Sequence, residues 1–215
     1  MAVALLPAAG RATRLGLDAP KELLVHRSRP VIDHSIAHVV EAGAEALVLV
    51  SRPGKDAVED HVRRRWPRLT LEVVHQWGPI GALSDALRAA APALGRHDVW
   101  LLFPDTYVQP NPFLGADGPG AAAAEVHLLC HDAAAGERWR HFGVVDVAAR
   151  RVVEKPATPL GSTWCWGAAW WTAAFTDRLA AAPTITDAIN EAPWIASCPI
   201  ERYEDIGLRP GLTVP

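Results

Sequence analysis

Short, wholly apolar runs alternate through the first half of the chain with segments whose apolar residues recur every three or four positions. Val3–Leu6, Ala46–Val50 and Val99–Phe103 are continuous apolar runs, and Leu69–Val74 is a fourth strand candidate. Runs this short and this apolar fit strands covered on both faces. Val31–Gly43 places Ile32, Ile36, Val39 and Val40 at helical spacing, with Gly43 as the stop. Asp56–Trp66 predicts a second helix that stops at Pro67, and Ile80–Ala91 a third stopped by Pro92. Strands of this kind alternating with helices imply a parallel sheet with right-handed crossovers.

The second half is less regular. Glu125–Cys130, Gly143–Val147, Arg151–Lys155 and Trp164–Thr172 predict strands, with a turn at Ala148–Arg150. Thr184–Ala192 predicts a short helix capped by Thr184. Ile195–Tyr203 reads as a last strand and Asp205–Leu212 as a closing turn or helix. The Gly/Ala/Pro-rich segment Gly115–Ala124 reads as a surface loop.

With 215 residues, 50% of them hydrophobic, the chain can bury one sizeable core, so residues 1–215 are expected to form a single domain. The formal charge of -3 and the absence of a long Lys/Arg run argue against a nucleic-acid partner. Arg63–Arg65 reads as the solvated end of a helix. Cys130, Cys165 and Cys198 are far apart with no C-x-x-C pair, which excludes a disulfide framework or zinc site and predicts small buried residues. The apolar amino terminus lacks a cationic flank and runs into a Pro/Gly loop, so it does not read as a signal peptide. No apolar stretch is long enough to span a membrane. A soluble protein of the reducing cytoplasm is expected, and a homo-oligomer is left open. His26, His34, His75, His131 and His141 have no metal-ligand spacing and read as structural.

The strongest local signal is Leu6-Pro7-Ala8-Ala9-Gly10-Arg11-Ala12-Thr13-Arg14-Leu15, followed by Pro20-Lys21-Glu22-Leu23-Leu24. A small-residue loop after a strand lets backbone N–H groups approach an anion. Two arginines and a lysine within a dozen positions suit the charges of a triphosphate. The spacing is not that of the P-loop G-x-x-x-x-G-K-[ST]. A plain Gly-containing turn with exposed basic residues is the competing reading.

The segment resembles the signature of the sugar-phosphate nucleotidyltransferases, G-x-G-T-R-L followed by P-K-x-L-L, through Thr13, Arg14, Leu15, Pro20, Lys21, Leu23 and Leu24. Ala12 stands where that family usually has glycine, and alanine disfavours a positive φ. The resemblance continues in order along the chain. Gln76 with Gly81-Ala82-Leu83 resembles a base-recognition stretch, and Leu101–Asp105 resembles a strand ending in a metal-binding aspartate, with Pro104 in place of the usual glycine. Phe142-Gly143-Val144-Val145, Val153-Glu154-Lys155-Pro156 and Gly167 within Trp166–Trp171 resemble segments around the acceptor. Ile185-Thr186-Asp187 and Tyr203-Glu204-Asp205-Ile206-Gly207 resemble the I-T-D and W-x-D-I-G elements, the latter carrying a second metal-binding aspartate.

The resemblance implies an α/β, Rossmann-like three-layer nucleotidyltransferase fold with a mainly parallel mixed central sheet and a smaller acceptor-binding lobe. Residues 1–110 would form the NTP-binding half and 111–215 the acceptor-binding half. Ala9, Gly10, Arg11, Ala12, Thr13, Gln76 and Gly81 would bind the nucleoside triphosphate. Gly143, Glu154, Lys155 and Gly167 would bind a phosphorylated small-molecule acceptor. Arg14, Lys21 and Asp105 would carry catalysis, with Mg²⁺ on Asp105 and Asp205. The implied activity is transfer of a nucleotidyl group to a sugar 1-phosphate with release of pyrophosphate. A cytidylyltransferase acting on a non-sugar phosphate or phosphonate, and a catalytically weak nucleotide-binding paralogue, are the alternatives.

Other readings of single residues stay open from sequence. Asp105 also suits a loop or cap, and Asp205 also suits the N-cap of a final turn. If Glu154 and Lys155 lie on one strand they point to opposite faces and do not pair. Trp139, Trp164, Trp166, Trp170 and Trp171 are read first as core or interface and second as a stacking platform for the acceptor.

Overall fold

In a computed structural model of the chain, which describes residues 2–10, 20–77, 83–115, 118 and 123–206, the apolar runs become adjacent strands. The first half contains β1 (Ala2–Pro7), the short hairpin β2 (Val25–His26) and β3 (Arg29–Pro30), α1 (Val31–Glu41), β4 (Ala46–Ser51), α2 (Asp56–Arg65), β5 (Thr70–His75), α3 (Leu83–Leu94), β6 (Asp98–Leu102) and β7 (Thr106–Gln109). The second half contains β8 (Val126–Asp132), β9 (Gly143–Asp146), β10 (Arg151–Glu154), β11 (Trp164–Trp171), α4 (Ala173–Ala181), α5 (Ile185–Glu191), β12 (Trp194–Ile200) and β13 (Arg202–Asp205).

β1 lies between β4 and β6, with β5 outside β4, and all three pairs are parallel. Their carboxyl ends therefore share one edge, at Pro7, Ser51, His75 and Leu102. The second half joins the same sheet when β11 pairs antiparallel with β6, and β8, β9 and β10 extend it in antiparallel steps. β12 adds parallel to β8. The result is a mixed sheet covered on both sides. Leu87 and Leu94 of α3, Phe175 of α4 and Ile189 of α5 pack on one face. Ile32 and Ile36 of α1 and Val58 of α2 pack on the other. This is the three-layer α/β arrangement expected from sequence. Among the described residues no helix is long and apolar enough to cross a membrane.

Several boundaries differ from expectation for identifiable reasons. Pro92 does not stop the third helix, which runs on to Leu94 before Gly95 turns the chain at φ +56°. A proline in the last turn forgoes one backbone hydrogen bond, about 1 kcal/mol. Full burial of Leu94 contributes about 1.5–3 kcal/mol in return. The expected last strand is two strands. β12 follows β8 to Ile200, then Glu201 donates its N–H to the Gln109 carbonyl at 3.0 Å and β13 pairs with β7. Apolar periodicity is blind to such a change of partner. Asp205 belongs to that strand rather than to the cap of a closing turn. Most of Gly115–Ala124, and the end of Asp205–Leu212, lie outside the described residues.

α5 also fixes an edge strand. Thr184 caps it, accepting from the Asp187 N–H at 3.1 Å, as expected. The Asn190 side chain then brackets Val152 of β10, accepting its N–H at 2.7 Å and donating to its carbonyl at 2.9 Å. Among the described residues β10 has a sheet partner only on its β9 side, so the amide serves as a substitute strand. Asn190→Ala is expected to cost about 1 kcal/mol of stability and to speed amide hydrogen exchange across Arg151–Glu154. Unchanged exchange in that strand would show that Asn190 does not hold it.

Candidate active site

Each side of the site begins where a parallel strand ends, the edge at which open α/β sheets bind ligands. Beyond β1 the small residues Ala8 and Ala9 are buried, and Gly10 follows. A Cβ added to Gly10 would lie 3.7 Å from Lys21 Nζ, so the loop backbone and the ammonium are neighbours. Lys21 opens a one-turn 3-10 helix, Lys21–Leu23, entered from extended Pro20. Its ammonium pairs with Asp105.

The turn is anchored from beneath. Glu22 is fully buried and takes an ion pair at 2.6 Å from Lys55 Nζ, which also donates to the Ala8 carbonyl at 2.6 Å. Arg52 of the same loop reaches the Ala9 carbonyl at 3.5 Å. Burial drives the Glu22 carboxyl up and the Lys55 ammonium down despite their mutual attraction. Burial also lowers Lys21, but the Asp105, Glu22 and Asp205 carboxylates outweigh it and hold the ammonium above its usual value. Lys21 is therefore a cation throughout the neutral range.

Asp105 sits in a tight turn after β6. The Phe103 carbonyl accepts the Thr106 N–H at 3.4 Å and the Thr106 hydroxyl at 3.0 Å, while Ser35 of α1 donates to it at 2.8 Å. Pro104 takes the second position of that turn, where its fixed φ is favourable. The departure from the glycine of the resemblance thus has a local cause. Asp205 arrives from the far end of the chain. The β7–β13 ladder sets Asp205 opposite Thr106, and the Ile206 N–H donates to the Asp105 carbonyl at 3.0 Å. The two aspartates occupy the same end of one two-stranded ladder, and both raise the buried Tyr203 phenol beyond the rise that burial itself causes.

Gln76 follows β5 on the same edge, its N–H held by the Ser51 carbonyl at 2.9 Å. Arg11, Ala12, Thr13, Arg14 and Gly81 lie outside the described residues.

The acceptor set gathers on β9, β10 and β11. Gly143 pairs with Glu154 across the β9–β10 hairpin. Contrary to the expectation from strand alternation, Lys155 Nζ pairs with Glu154 Oε1 at 3.1 Å. Lys155 has left the strand with φ +43°, which turns its side chain back toward its neighbour. Gly167 occupies a register shift of β11 against β8. A Cβ there would meet the Tyr203 ring at 2.5 Å, so this glycine makes room for Tyr203. Tyr203 stacks on His131 at 4.1 Å, and Phe142 stands against both rings. Trp166 links this set to Asp105, because its ring packs at 5.5 Å on Phe103, two residues earlier in the chain.

Trp139, Trp166 and Trp171 are buried core side chains, as the first reading held. Cys130 and Cys165 are buried and free, whereas Cys198 is only half-buried. Lys55 and Asn190 went unremarked in the sequence. The signal for Lys55 was a lysine in the turn Ser51-Arg52-Pro53-Gly54-Lys55 at the end of an apolar strand. Asn190 carried no such signal.

With this geometry in view, residues 4–106 match the family described as the MobA-like NTP transferase domain. The chain is 35% identical over 105 residues to the bifunctional protein GlmU of Parvibaculum lavamentivorans, covering 48% of this chain and 23% of that protein. It is 44% identical over 62 residues to UTP–glucose-1-phosphate uridylyltransferase of Bacillus subtilis, covering 27% and 21%. The chain thus matches less than a quarter of the length of these relatives. Similarity to solved structures is wider. UDP-glucose pyrophosphorylase from Acinetobacter baumannii superposes with a TM-score of 0.77 at 21% identity, covering 96% of this chain and 89% of that one. A UDP-glucose pyrophosphorylase complexed with UDP-glucose gives 0.80 at 20%, covering 96% and 94%. The likeness of fold therefore extends beyond residues 4–106 to nearly all of the chain.

Two measurements test the electrostatics of this domain. Lys55→Met strands the Glu22 carboxylate and should lower the unfolding free energy in urea by about 3–5 kcal/mol. Glu22→Gln in the same chain should recover at least half of that loss. Glu22 takes up its proton at higher pH when folded than when unfolded, so the deficit of Lys55→Met should narrow on acidification. A deficit indifferent to both changes would mean that the pair does not anchor the turn. His131 supplies the second test. Burial pushes its imidazole from 6.5 to about 4. A lowered folded pKa gives stability that is full above the unfolded value and lost as pH falls toward 4, here about 3 kcal/mol. His131→Phe, which keeps an aromatic ring against Tyr203, should flatten stability between pH 6.5 and 4 relative to the unchanged protein.

Proposed function

We propose that the chain is a nucleotidyltransferase that joins a nucleoside triphosphate to a sugar 1-phosphate and releases pyrophosphate. One observation carries this reading: Lys21, Asp105 and Asp205, from three distant parts of the sequence, meet at the carboxyl edge of the parallel strands. The names of the relatives, GlmU and UTP–glucose-1-phosphate uridylyltransferase, support the choice of a sugar phosphate as acceptor.

The donor set suits Mg²⁺. No group of three or more His, Cys, Asp or Glu side chains gathers as a metal site among the described residues. Two carboxylates at one end of a ladder leave a shell to be completed by phosphate oxygens and water, which magnesium prefers. Asp105 and Asp205 would hold the ion, and its chemistry would be charge neutralisation on the phosphates.

Lys21 exchanges its partner Asp105 for the α-phosphate as substrate enters, and neutralises the charge that develops there. Gly10 offers uncrowded backbone beside that ammonium. Arg11 and Arg14 hold the β- and γ-phosphates, Ala9, Ala12 and Thr13 line the loop, and Gln76 with Gly81 reads the base. Lys155 positions the acceptor phosphate and Glu154 its hydroxyls, on the hairpin floored by Gly143 and beside Gly167. An acceptor phosphate oxygen attacks the α-phosphorus, and the bond to the bridging oxygen of the β-phosphate breaks. Pyrophosphate leaves with the bonding electrons. Phosphate is already an anionic nucleophile, so no general base is needed and rate comes from alignment and charge. Residues 1–110 serve the triphosphate and 111–215 the acceptor. The free cysteines fit a reducing cytoplasm.

Pyrophosphate release should be measured with four NTPs and a panel of phosphorylated acceptors. Lys21→Ala and Asp105→Asn should each lower kcat by about 10²–10³ while thermal unfolding remains cooperative. Near-normal turnover in both variants would remove these two residues from the mechanism.

A further inference from the structure

A cavity of about 400 Å³ opens at the edge of the sheet opposite the candidate site, where β4 and β5 begin. Small-molecule sites span about 300–1,000 Å³. One wall is the end of α1, with Val40, and the turn after it, with Ala44. The other is the turn between α2 and β5, with Trp66 and Leu69. Hydrogen bonds fix both walls. The Gly43 N–H donates to the Val40 carbonyl at 3.0 Å and the Ala44 N–H to the Val39 carbonyl at 2.9 Å, which closes α1. The Leu69 N–H closes the second turn on the Trp66 carbonyl at 3.1 Å. The Thr70 N–H then ties the walls together by donating to the Glu45 carbonyl at 2.9 Å. The Trp66 indole N–H donates to Asp33 Oδ1 at 2.8 Å, so the ring stands in one orientation.

Two features of this cavity are left over by the fold. Val40 falls at the helical spacing that buries Ile32, Ile36 and Val39, yet it is 37% exposed. The apolar face of α1 thus runs on past the core and into the cavity. The second feature is charge. Arg63 and Arg64, in the last turn of α2, pair with Glu59 and Asp60 on the turn before. Arg65 and Arg68 line the cavity and form no ion pair among the described residues, and the Arg65 guanidinium lies 5.6 Å from the Trp66 ring. Glu45 lines the cavity too and pairs with neither arginine. Two guanidiniums against one carboxylate leave an excess of positive charge beside an apolar floor.

An apolar floor gives a small hydrated anion nothing to replace its water, and the excess positive charge disfavours a cation. A molecule that is apolar at one end and anionic at the other satisfies both. We propose that this cavity binds a small molecule with an apolar body and one carboxylate, the body resting on Val40, Trp66 and Leu69 and the carboxylate meeting Arg65 and Arg68. Guanidinium groups hold carboxylates through paired hydrogen bonds. The inference is independent of the transferase reading, because no residue of the cavity belongs to the proposed catalytic machinery.

The full chain is titrated by calorimetry with 2-naphthoate and octanoate, with the uncharged amides of both, and with acetate. At least one of the two larger carboxylates should bind. Its amide should bind about fivefold more weakly, the scale of solvent-exposed charge pairs, and acetate should give no heat of binding. Arg65→Gln combined with Arg68→Gln should bring the carboxylate down to the affinity of its amide. Val40→Asn should weaken carboxylate and amide alike by about fivefold to tenfold. All three positions are solvent-exposed, so the thermal midpoints should match that of the unchanged chain. No binding by either carboxylate, equal affinity for carboxylate and amide, or a preference that survives the double variant overturns the proposal. A dimer in sedimentation velocity that Val40→Asn dissolves would assign this face to a second copy of the chain and overturn it equally.

Discussion

The edge of the sheet where the candidate site forms depends on one buried ammonium. Lys55 holds the Ala8 carbonyl as the chain leaves β1 and the Glu22 carboxylate beneath the 3-10 turn. The Ala8 N–H is taken by the Val50 carbonyl at 2.7 Å, so both backbone groups of that residue are satisfied. The turn cannot drift without leaving either a carboxylate or an ammonium alone in the interior. Such pairs add little net stability, because desolvation cancels most of their attraction, yet breaking one costs heavily. Their effect is to forbid alternatives. Glu22 is locked inward, and its neighbour Lys21 is presented outward to Asp105.

A second constraint works across the whole chain length. β7 and β13 form a two-stranded ladder separate from the main sheet, and its far end sets Asp205 opposite Thr106, next in sequence to Asp105. Asp105 is additionally fixed by the proline turn at Phe103–Thr106. Both carboxylates act on the Lys21 ammonium and hold it charged.

The strands and helices of the first half were legible because burial on both faces writes an unmistakable pattern, apolar runs separated by helical spacing. The partner change between β12 and β13 was not, since each residue of Ile195–Tyr203 suits a strand whichever neighbour it has. The short β7 and the 3-10 turn at Lys21–Leu23 are too brief to show a period. Among candidate site residues, Lys21, Asp105 and Asp205 lie near one another although 184 positions separate the first from the last. The Glu154–Lys155 pairing was misread because a positive φ at a non-glycine residue leaves no trace in the sequence. Lys55 and Asn190 act through partners 33 and 38 residues away, a distance over which local pattern carries no information.

The glycines on the acceptor side connect packing with selectivity. Gly167 is required by the ring of Tyr203 and Gly143 by the ring of Trp166, so each is a steric answer to an aromatic neighbour. A hydrophobic wall separates ligands that differ by one hydroxyl poorly, whereas a site built to hydrogen-bond that hydroxyl rejects its absence strongly. Beside Gly143 the hairpin offers the Glu154 carboxylate and, paired with it, the Lys155 ammonium. Both side chains stand open to solvent, at 46% and 59%, so their own pairing is screened and either group is free to turn to a ligand.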